Sequence, residues 1–125
     1  MRNDPKAKDK KLAMNLGALI AARRKSLGLT QGELAEVVGI EQESMSRIET
    51  GMITPSLSRL LSLADALNCS IETLLRPASN RKQDQSLVMD GLLDGLDDEE
   101  RAFAVQVVSE FADFARSRRN KRSKP

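Results

Sequence analysis

The stretch TQGELAEVVGIEQESMSRIETG, residues 30–51, constrains the fold more than any other part of the chain. It contains two short apolar patterns with helical spacing, one on each side of Gly39, and each is too short to bury a hydrophobic core by itself. Gly39 permits the left-handed backbone conformation that a tight turn requires. The stretch therefore predicts two short helices that pack against each other at a fixed angle.

Local signals in this stretch assign a role to most of its residues. Thr30 and Glu33 have the spacing of a capping box, which begins the first helix. Ala35 is small enough to let the two helices approach closely. The larger apolar residues are predicted to face the core or fill the turn; they are Leu34, Val38, Ile40, Met45 and Ile48. The outward face of the second helix then carries Gln42, Glu43, Ser44 and Arg47.

Three further helices are predicted around this pair. Residues 12–27 carry leucines and isoleucine at helical spacing, and Gly28 follows as a C-terminal cap. Thr54 and Pro55 have the pattern of an N-cap followed by a first helical residue, and Ser70 is placed to cap a last short helix. Residues 12–76 are therefore predicted to form a compact five-helix domain of the all-α class.

The composition restricts both the core and the chemistry of the chain. Only 2% of the 125 residues are aromatic, so the core must be aliphatic. There is no histidine, and Cys69 is the single cysteine, which leaves no internal disulfide and no metal site of ordinary ligand count. No nucleophile–base pair or glycine-rich phosphate loop is present. We therefore expect no enzyme activity and no cofactor. Without a signal sequence or membrane span, we expect a soluble cytoplasmic protein.

The remaining segments are predicted from their polarity. Residues 1–11 are charged and form a flexible basic arm, residues 77–86 form a linker, and residues 120–125 form a basic tail. Residues 87–119 form a helical oligomerisation segment, most of which is a strongly amphipathic helix over residues 97–119. Four acidic residues begin this helix and basic residues end it, which favours the helix through its dipole.

All three phenylalanines of the chain lie in this C-terminal helix. Its apolar face has two possible partners: it folds back on its own domain, or it pairs with the same helix of a second chain. A concentrated apolar face outside the five-helix domain favours the second possibility. The predicted dimerisation residues are Phe103, Val107, Phe111 and Phe114.

Residues 16–75 resemble the Cro and lambda-repressor-like (XRE-type) helix-turn-helix regulators. The resemblance is carried by LTQGELAEVVGI, SRIETG, the TPSL helix start and LLSLADALNCSIETLL. It implies a five-helix lambda-repressor-like DNA-binding domain that inserts its third helix into the major groove of double-stranded DNA. Gln42 would then read adenine, and Glu43, Ser44 and Arg47 would face neighbouring bases.

The resemblance also implies how the domain holds the DNA backbone. Gln31 would contact a phosphate and buttress Gln42, and Thr50, Thr54 and Ser56 would lie near other phosphates. Arg24 and Glu49 would form a structural ion pair between the first and third helices. Because the reading face has one basic residue, most of the attraction to DNA must come from the basic ends of the chain or from Arg23 and Lys25.

Together these observations predict a transcriptional regulator, more specifically a repressor that binds a near-palindromic operator as a homodimer. The alternative is an antitoxin-like or adaptor protein whose C-terminal helix binds a different protein and whose DNA binding serves autoregulation. In either case we expect a bacterial or phage-encoded protein that acts at the nucleoid and not at a membrane.

Overall fold

The computed structural model describes residues 5–123, which hold seven α-helices and no strand. The helices are α1 (Pro5–Ser26), α2 (Gln31–Val38), α3 (Gln42–Glu49), α4 (Leu57–Ala66), α5 (Ile71–Ala78), α6 (Lys82–Leu93) and α7 (Asp98–Ser123). The chain divides into two compact units, residues 1–88 and 89–125. The predicted all-α class is confirmed.

The first unit is built around one hydrophobic core. Helix α1 packs against α2, α3 and α5, while α2 also contacts α3 and α4, and α4 contacts α5. The largest fully buried side chains are aliphatic or methionine, as a chain with so few aromatic residues requires: Ile20, Leu34, Met45, Leu63, Leu67 and Leu74. This core fixes α2 and α3 relative to the other helices of the unit.

The turns around α2 have the geometry that the sequence predicts. The Thr30 hydroxyl accepts from the Glu33 amide at 3.0 Å, and the Glu33 carboxylate accepts from the Thr30 amide at 2.8 Å, which completes the capping box. Hydrogen bonding of the Glu33 carboxylate to the Thr30 backbone amide, and secondly to the Thr30 side chain, holds the pKa of Glu33 below its ordinary value. Gly39 has a φ angle of 84°, in the left-handed region. Both local predictions are confirmed.

The predicted start of α4 was wrong by two residues. Ser56, not Thr54, is the N-cap, and its hydroxyl accepts from the Arg59 amide at 3.2 Å. Pro55 therefore precedes the helix instead of opening it. Both Thr54 and Ser56 have capping side chains, so the local sequence alone offered two starts.

Helix α1 reaches further toward the N-terminus than expected. Residues 5–11 are helical, whereas a flexible arm was predicted for residues 1–11, of which residues 1–4 lie outside the described part of the chain. Pro5 is well suited to the first helical position, and the lysines and alanine that follow are good helix formers. Helical propensity here outweighs the lack of an apolar pattern.

The predicted linker and tail are also largely helical. Within residues 77–86, α5 extends to the buried Ala78, whose carbonyl accepts from Asn15 Nδ2 at 3.0 Å, and α6 begins at Lys82. The Ser79 hydroxyl, which accepts from the Arg81 amide at 3.0 Å and donates to Asp84 at 2.6 Å, orders the turn between them. Of the tail over residues 120–125, α7 includes residues 120–123, and residues 124–125 lie outside the description.

Helix α7 dominates the second unit, with 26 residues. Its start is a second capping box: the Asp97 carboxylate accepts from the Glu100 amide at 2.8 Å, and Glu100 accepts from the Asp97 amide at 3.0 Å. The predicted helix over residues 97–119 is thus confirmed and extended. Despite the length of α7, none of the helices over residues 5–123 is apolar enough to cross a membrane.

Gly17 sits at the closest approach between two helices of the first unit. It lies on the buried side of α1, where a Cβ atom would come within 2.3 Å of the Ile48 carbonyl oxygen and 2.6 Å of the Glu49 carbonyl oxygen. These atoms belong to the backbone of α3 and cannot move independently of it. Only glycine at this position lets α1 pack directly on the end of α3.

We therefore expect Gly17→Ala to lower the free energy of unfolding of the first unit by about 1–3 kcal/mol or more, because α1 and α3 must move apart. Urea unfolding followed by circular dichroism measures this loss. Gly91→Ala is the matched control: its Cβ meets no atom within 4 Å, and alanine favours a helix. Equal stability of the Gly17→Ala variant and the wild type would contradict the close approach.

Candidate nucleic-acid interface

A buried ion pair joins α1 to the end of α3. Arg24 Nε donates to Glu49 Oε2 at 2.7 Å and Arg24 Nη2 donates to Glu49 Oε1 at 3.0 Å, so the pair is bidentate. The two side chains are only 10% and 6% exposed. The hydrogen bonds that Arg24 donates to Glu49 raise the pKa of Arg24 above its ordinary value, against the opposing effect of burial. Arg24 therefore keeps its positive charge in the interior.

The same ion pair also fixes the beginning of α2. Arg24 Nη1 donates to the Leu29 carbonyl at 2.9 Å, and Gln31 Nε2 donates to Glu49 Oε1 at 3.0 Å. One carboxylate thus receives hydrogen bonds from both flanking elements. The Gln31 amide nitrogen thus donates to Glu49, and the buttress from Gln31 to Gln42 stays a prediction.

The turn between α2 and α3 is closed by backbone hydrogen bonds. The amides of Gly39 and Ile40 donate to the Ala35 carbonyl at 2.8 and 2.9 Å. Ala35 is only 2% exposed, and Leu34, Met45 and Ile48 are buried around it. The crossing angle of the two helices is therefore set by packed side chains on one side and by the turn on the other.

This packing leaves a polar outer face on α3. Gln42, Glu43 and Arg47 are exposed, whereas Ser44 is partly buried. A Cβ atom at Gly32 would lie 3.3 Å from Gln42 Oε1, so the Gln42 amide lies over the first turn of α2. The contact between Gly32 and the Gln42 amide was not predicted. The glycine in the first turn of α2 is the sequence feature that could have indicated it.

Glu43 and Arg47 form an ion pair along α3, four residues apart. Their side chains are 72% and 52% exposed, so the pair contributes little to stability. It nevertheless aligns the guanidinium along the outer face. Arg47 has five N–H donors, and those not used by Glu43 remain for another acceptor.

The hydroxyl groups of the three predicted phosphate-binding residues after α3 differ in their hydrogen bonding. The Thr50 hydroxyl donates to the Ser46 carbonyl at 3.0 Å, so it must rotate before it can donate to a phosphate. The Ser56 hydroxyl accepts from its own helix, and Thr54 lies exposed between them. Lys10 lines the same surface hollow as Thr50 and Thr54. The hollow also contains Asp9, which reduces its positive charge.

Arg23 has a structural role that the sequence did not reveal. Its Nε donates to the Leu67 carbonyl at 2.9 Å and its Nη2 to the Asn68 carbonyl at 2.9 Å. These carbonyls end α4 and need donors. Arg23 and Lys25 were both expected to attract DNA. The Arg23 guanidinium is engaged with these carbonyls and is therefore less suited to bind a phosphate, whereas Lys25 is exposed.

The predicted dimerisation residues all lie on α7, in the second unit. Phe103 is 68% exposed, Val107 48%, Phe111 68% and Phe114 58%. They form an apolar surface along one side of a long helix. Exposure of such a surface to water is unfavourable, and its burial against a partner would be stabilising.

Comparisons with known proteins agree with this geometry. A model of the helix-turn-helix family matches residues 20–74. The chain is 33% identical over 98 residues to the cryptic phage CTXphi transcriptional repressor RstR of Vibrio cholerae serotype O1, covering 78% of this chain and 86% of RstR. It is 36% identical over 76 residues to the uncharacterized HTH-type transcriptional regulator y4mF of Sinorhizobium fredii, covering 61% and 99%. The crystal structure of the clp gene regulator ClgR from C. glutamicum has a TM-score of 0.52 at 33% identity, covering 54% of this chain and 87% of ClgR.

Because the ion pair is buried, we expect Glu49→Gln to lower the free energy of unfolding by about 3 kcal/mol, since Arg24 keeps its charge but loses its counter-charge. Glu43→Gln is the matched control on the same helix; it breaks an exposed pair and should change stability by less than about 1 kcal/mol. Urea denaturation at neutral pH compares the two. Similar losses for both variants would show that the Arg24–Glu49 pair does not hold α3 in place.

Proposed function

Since this chain belongs to the XRE-type helix-turn-helix family of DNA-binding transcriptional regulators, we propose that it is a repressor that binds a near-palindromic operator as a homodimer. The observation that carries the proposal is the polar outer face of α3, held on a rigid support. A helix is about 10–12 Å across, which matches the major groove, about 12 Å wide.

Gln42 and Arg47 are the best candidates to read bases. A glutamine amide pairs in a bidentate manner with adenine, and an arginine guanidinium pairs with guanine. Both side chains are exposed, and Glu43 orients Arg47 without occupying all its donors. Glu43 can itself accept from a cytosine amino group. Ser44 is partly buried, and its short side chain can reach only a base edge that lies close to α3.

Phosphate contacts would fix the register of the domain on the duplex. Thr54, Ser56 and, after rotation of its hydroxyl, Thr50 are placed beyond the C-terminal end of α3, next to the amides that begin α4. Lys10 adds a positive charge to the same hollow. The Gln31 side-chain amide has a second N–H besides the one donated to Glu49, so that N–H or the backbone amide at the start of α2 would donate to a phosphate.

Repression would follow from occupancy of the operator, which excludes polymerase without any chemical step. RstR, which matches most of this chain, is itself named a transcriptional repressor. Dimers of helix-turn-helix proteins place their recognition helices about 34–36 Å apart, one turn of DNA. The apolar surface of α7 is the best candidate for the dimer contact, because its phenylalanines are exposed in the single chain.

The same exposed surface supports a second candidate function. In an antitoxin-like or adaptor protein, α7 would cover a different protein and DNA binding would serve autoregulation. The two functions differ in the oligomeric state of the purified chain: the repressor is a dimer by itself, whereas the adaptor is a monomer until its partner is added.

We expect Gln42→Ala to weaken operator binding by about 1–3 kcal/mol, because the amide contacts to one base are lost, and to relax the preference at that base pair. Selection of bound sequences from random duplex DNA at a fixed, near-physiological salt concentration measures both effects. The wild type should enrich an inverted repeat. Binding that enriches no sequence and disappears as salt rises would overturn specific readout.

We also expect Phe111→Glu to convert the dimer into a monomer, because the charge would be buried in the apolar contact. Sedimentation equilibrium measures the change. Ser109→Glu adds the same charge on the opposite side of α7 and should leave the dimer intact. A Phe111→Glu variant that still sediments as a dimer would place the interface elsewhere.

A further inference from the structure

One stripe along α7, together with the capping residue before it, carries an ordered series of charges and apolar groups. Its members recur at alternating spacings of three and four residues, which keeps them on one side of a helix. We refer to this stripe as the seam; it consists of Asp97, Glu100, Ala104, Val107, Phe111, Phe114, Arg118 and Lys121. The first two residues are acidic, the middle four are apolar and the last two are basic.

The structure supports the seam as one continuous surface. Its three large apolar residues are about half or more exposed, and the exposed Phe103 and Val108 widen the apolar part on either side. At the basic end, the Arg118 guanidinium carbon lies 5.8 Å from the centre of the Phe114 ring, so Arg118 follows the same side of the helix. The seam therefore offers a partner an apolar centre between two ends of opposite charge.

We propose that the seam binds the seam of a second copy of this chain in the antiparallel direction, with the twofold axis at the level of residue 109 but on the seam side of the helix. This inference rests on the homodimer proposed above and specifies its contact. Asp97 then faces the partner's Lys121, and Glu100 faces the partner's Arg118. Ala104 faces the partner's Phe114, and Val107 faces the partner's Phe111.

Charge complementarity selects this direction. In a parallel pair with the helices in register, Glu100 would face the partner's Glu100 and Arg118 would face the partner's Arg118, so both ends would repel. In the antiparallel pair, each acidic end lies against a basic end. The same register that pairs the charges also pairs all four apolar positions, without any shift along the helix.

Side-chain size selects the same direction. In the antiparallel register, a phenylalanine always faces a smaller residue, either Ala104 or Val107, so each layer has a similar volume. A parallel register would place Phe114 against the partner's Phe114 and leave Ala104 against the partner's Ala104. That arrangement would crowd one layer and leave a gap in another, and both are destabilising.

The pairing also assigns a role to the basic end of the chain. Arg118 and Lys121 would be neutralised by the partner's acidic helix start, and so they would not serve as DNA contacts. The basic residues on the other sides of α7, such as Arg116 and Arg119, would remain at the surface.

The double variant Arg118→Glu/Lys121→Glu tests the charge pairing in the full-length protein. In the antiparallel pair, each new glutamate faces an acidic residue, so the dimer dissociation constant should rise about 10- to 100-fold. Arg116→Glu/Arg119→Glu changes the net charge equally but lies off the seam, and it should change the constant by less than about threefold. Sedimentation equilibrium gives both constants. Equal effects of the two double variants would overturn the pairing.

Engineered cysteines test the direction independently. Cys69 is first replaced by alanine, and Ala104→Cys and Phe114→Cys are made as separate proteins. A disulfide needs Cα atoms within about 7 Å. In the antiparallel pair, the two copies of residue 104 are about 15 Å apart, at 1.5 Å per residue, and so are the two copies of residue 114. Oxidation of either protein alone should give no crosslink, and oxidation of their mixture should give the mixed disulfide.

The outcomes separate this inference from the function on which it rests. A dimer in which Ala104→Cys crosslinks to itself would retain the homodimer and overturn the antiparallel direction. A dimer that gives no crosslink in any mixture would place its interface away from the seam. A wild-type chain that sediments as a monomer would overturn the homodimer as well, and it would favour the adaptor function.

Discussion

The bidentate ion pair between Arg24 and Glu49 is the interaction on which the DNA-binding unit depends. A single carboxylate, at the last residue of α3, accepts hydrogen bonds from α1 and from Gln31 at the start of α2. Arg24 in turn donates to the Leu29 carbonyl in the loop between α1 and α2. In the low dielectric of the interior these hydrogen bonds are strong, and an unpaired charge at the same place would be very costly. The pair therefore specifies one arrangement of three helices.

Close backbone packing complements the ion pair. Gly17 lets α1 lie directly against the final carbonyls of α3, and Gly51, with a φ angle of 80°, turns the chain where a Cβ atom would come within 2.6 Å of the Met14 backbone. The ion pair and the two glycines act on the same end of α3. Its opposite, N-terminal end is held by the turn at Gly39. The outer face of α3 is consequently presented by a rigid body, which direct readout of bases requires.

Several local predictions were confirmed because they depend only on neighbouring residues. The capping box at Thr30, the left-handed turn at Gly39 and the amphipathic α7 each follow from interactions within a few residues. The predicted start of α4 was wrong because Thr54 and Ser56 are both capping residues, and Ser56 is the one whose hydroxyl accepts from an amide of the helix. The predictions of a flexible arm and a linker were wrong for their helical residues, because helical propensity and capping outweigh polarity there.

The sequence by itself determined the all-α class, the helix-turn-helix pattern and the outward position of Gln42 on α3, because periodicity and turn chemistry are local properties. The family resemblance implied the Arg24–Glu49 pair, but only the tertiary structure decided the partners of Arg23. Arg23 and Arg24 are adjacent and chemically identical, yet one caps the end of α4 and the other pairs with Glu49. The two side chains leave α1 about 100° apart and meet different helices. That difference arises from packing between residues distant in sequence, which no local pattern encodes.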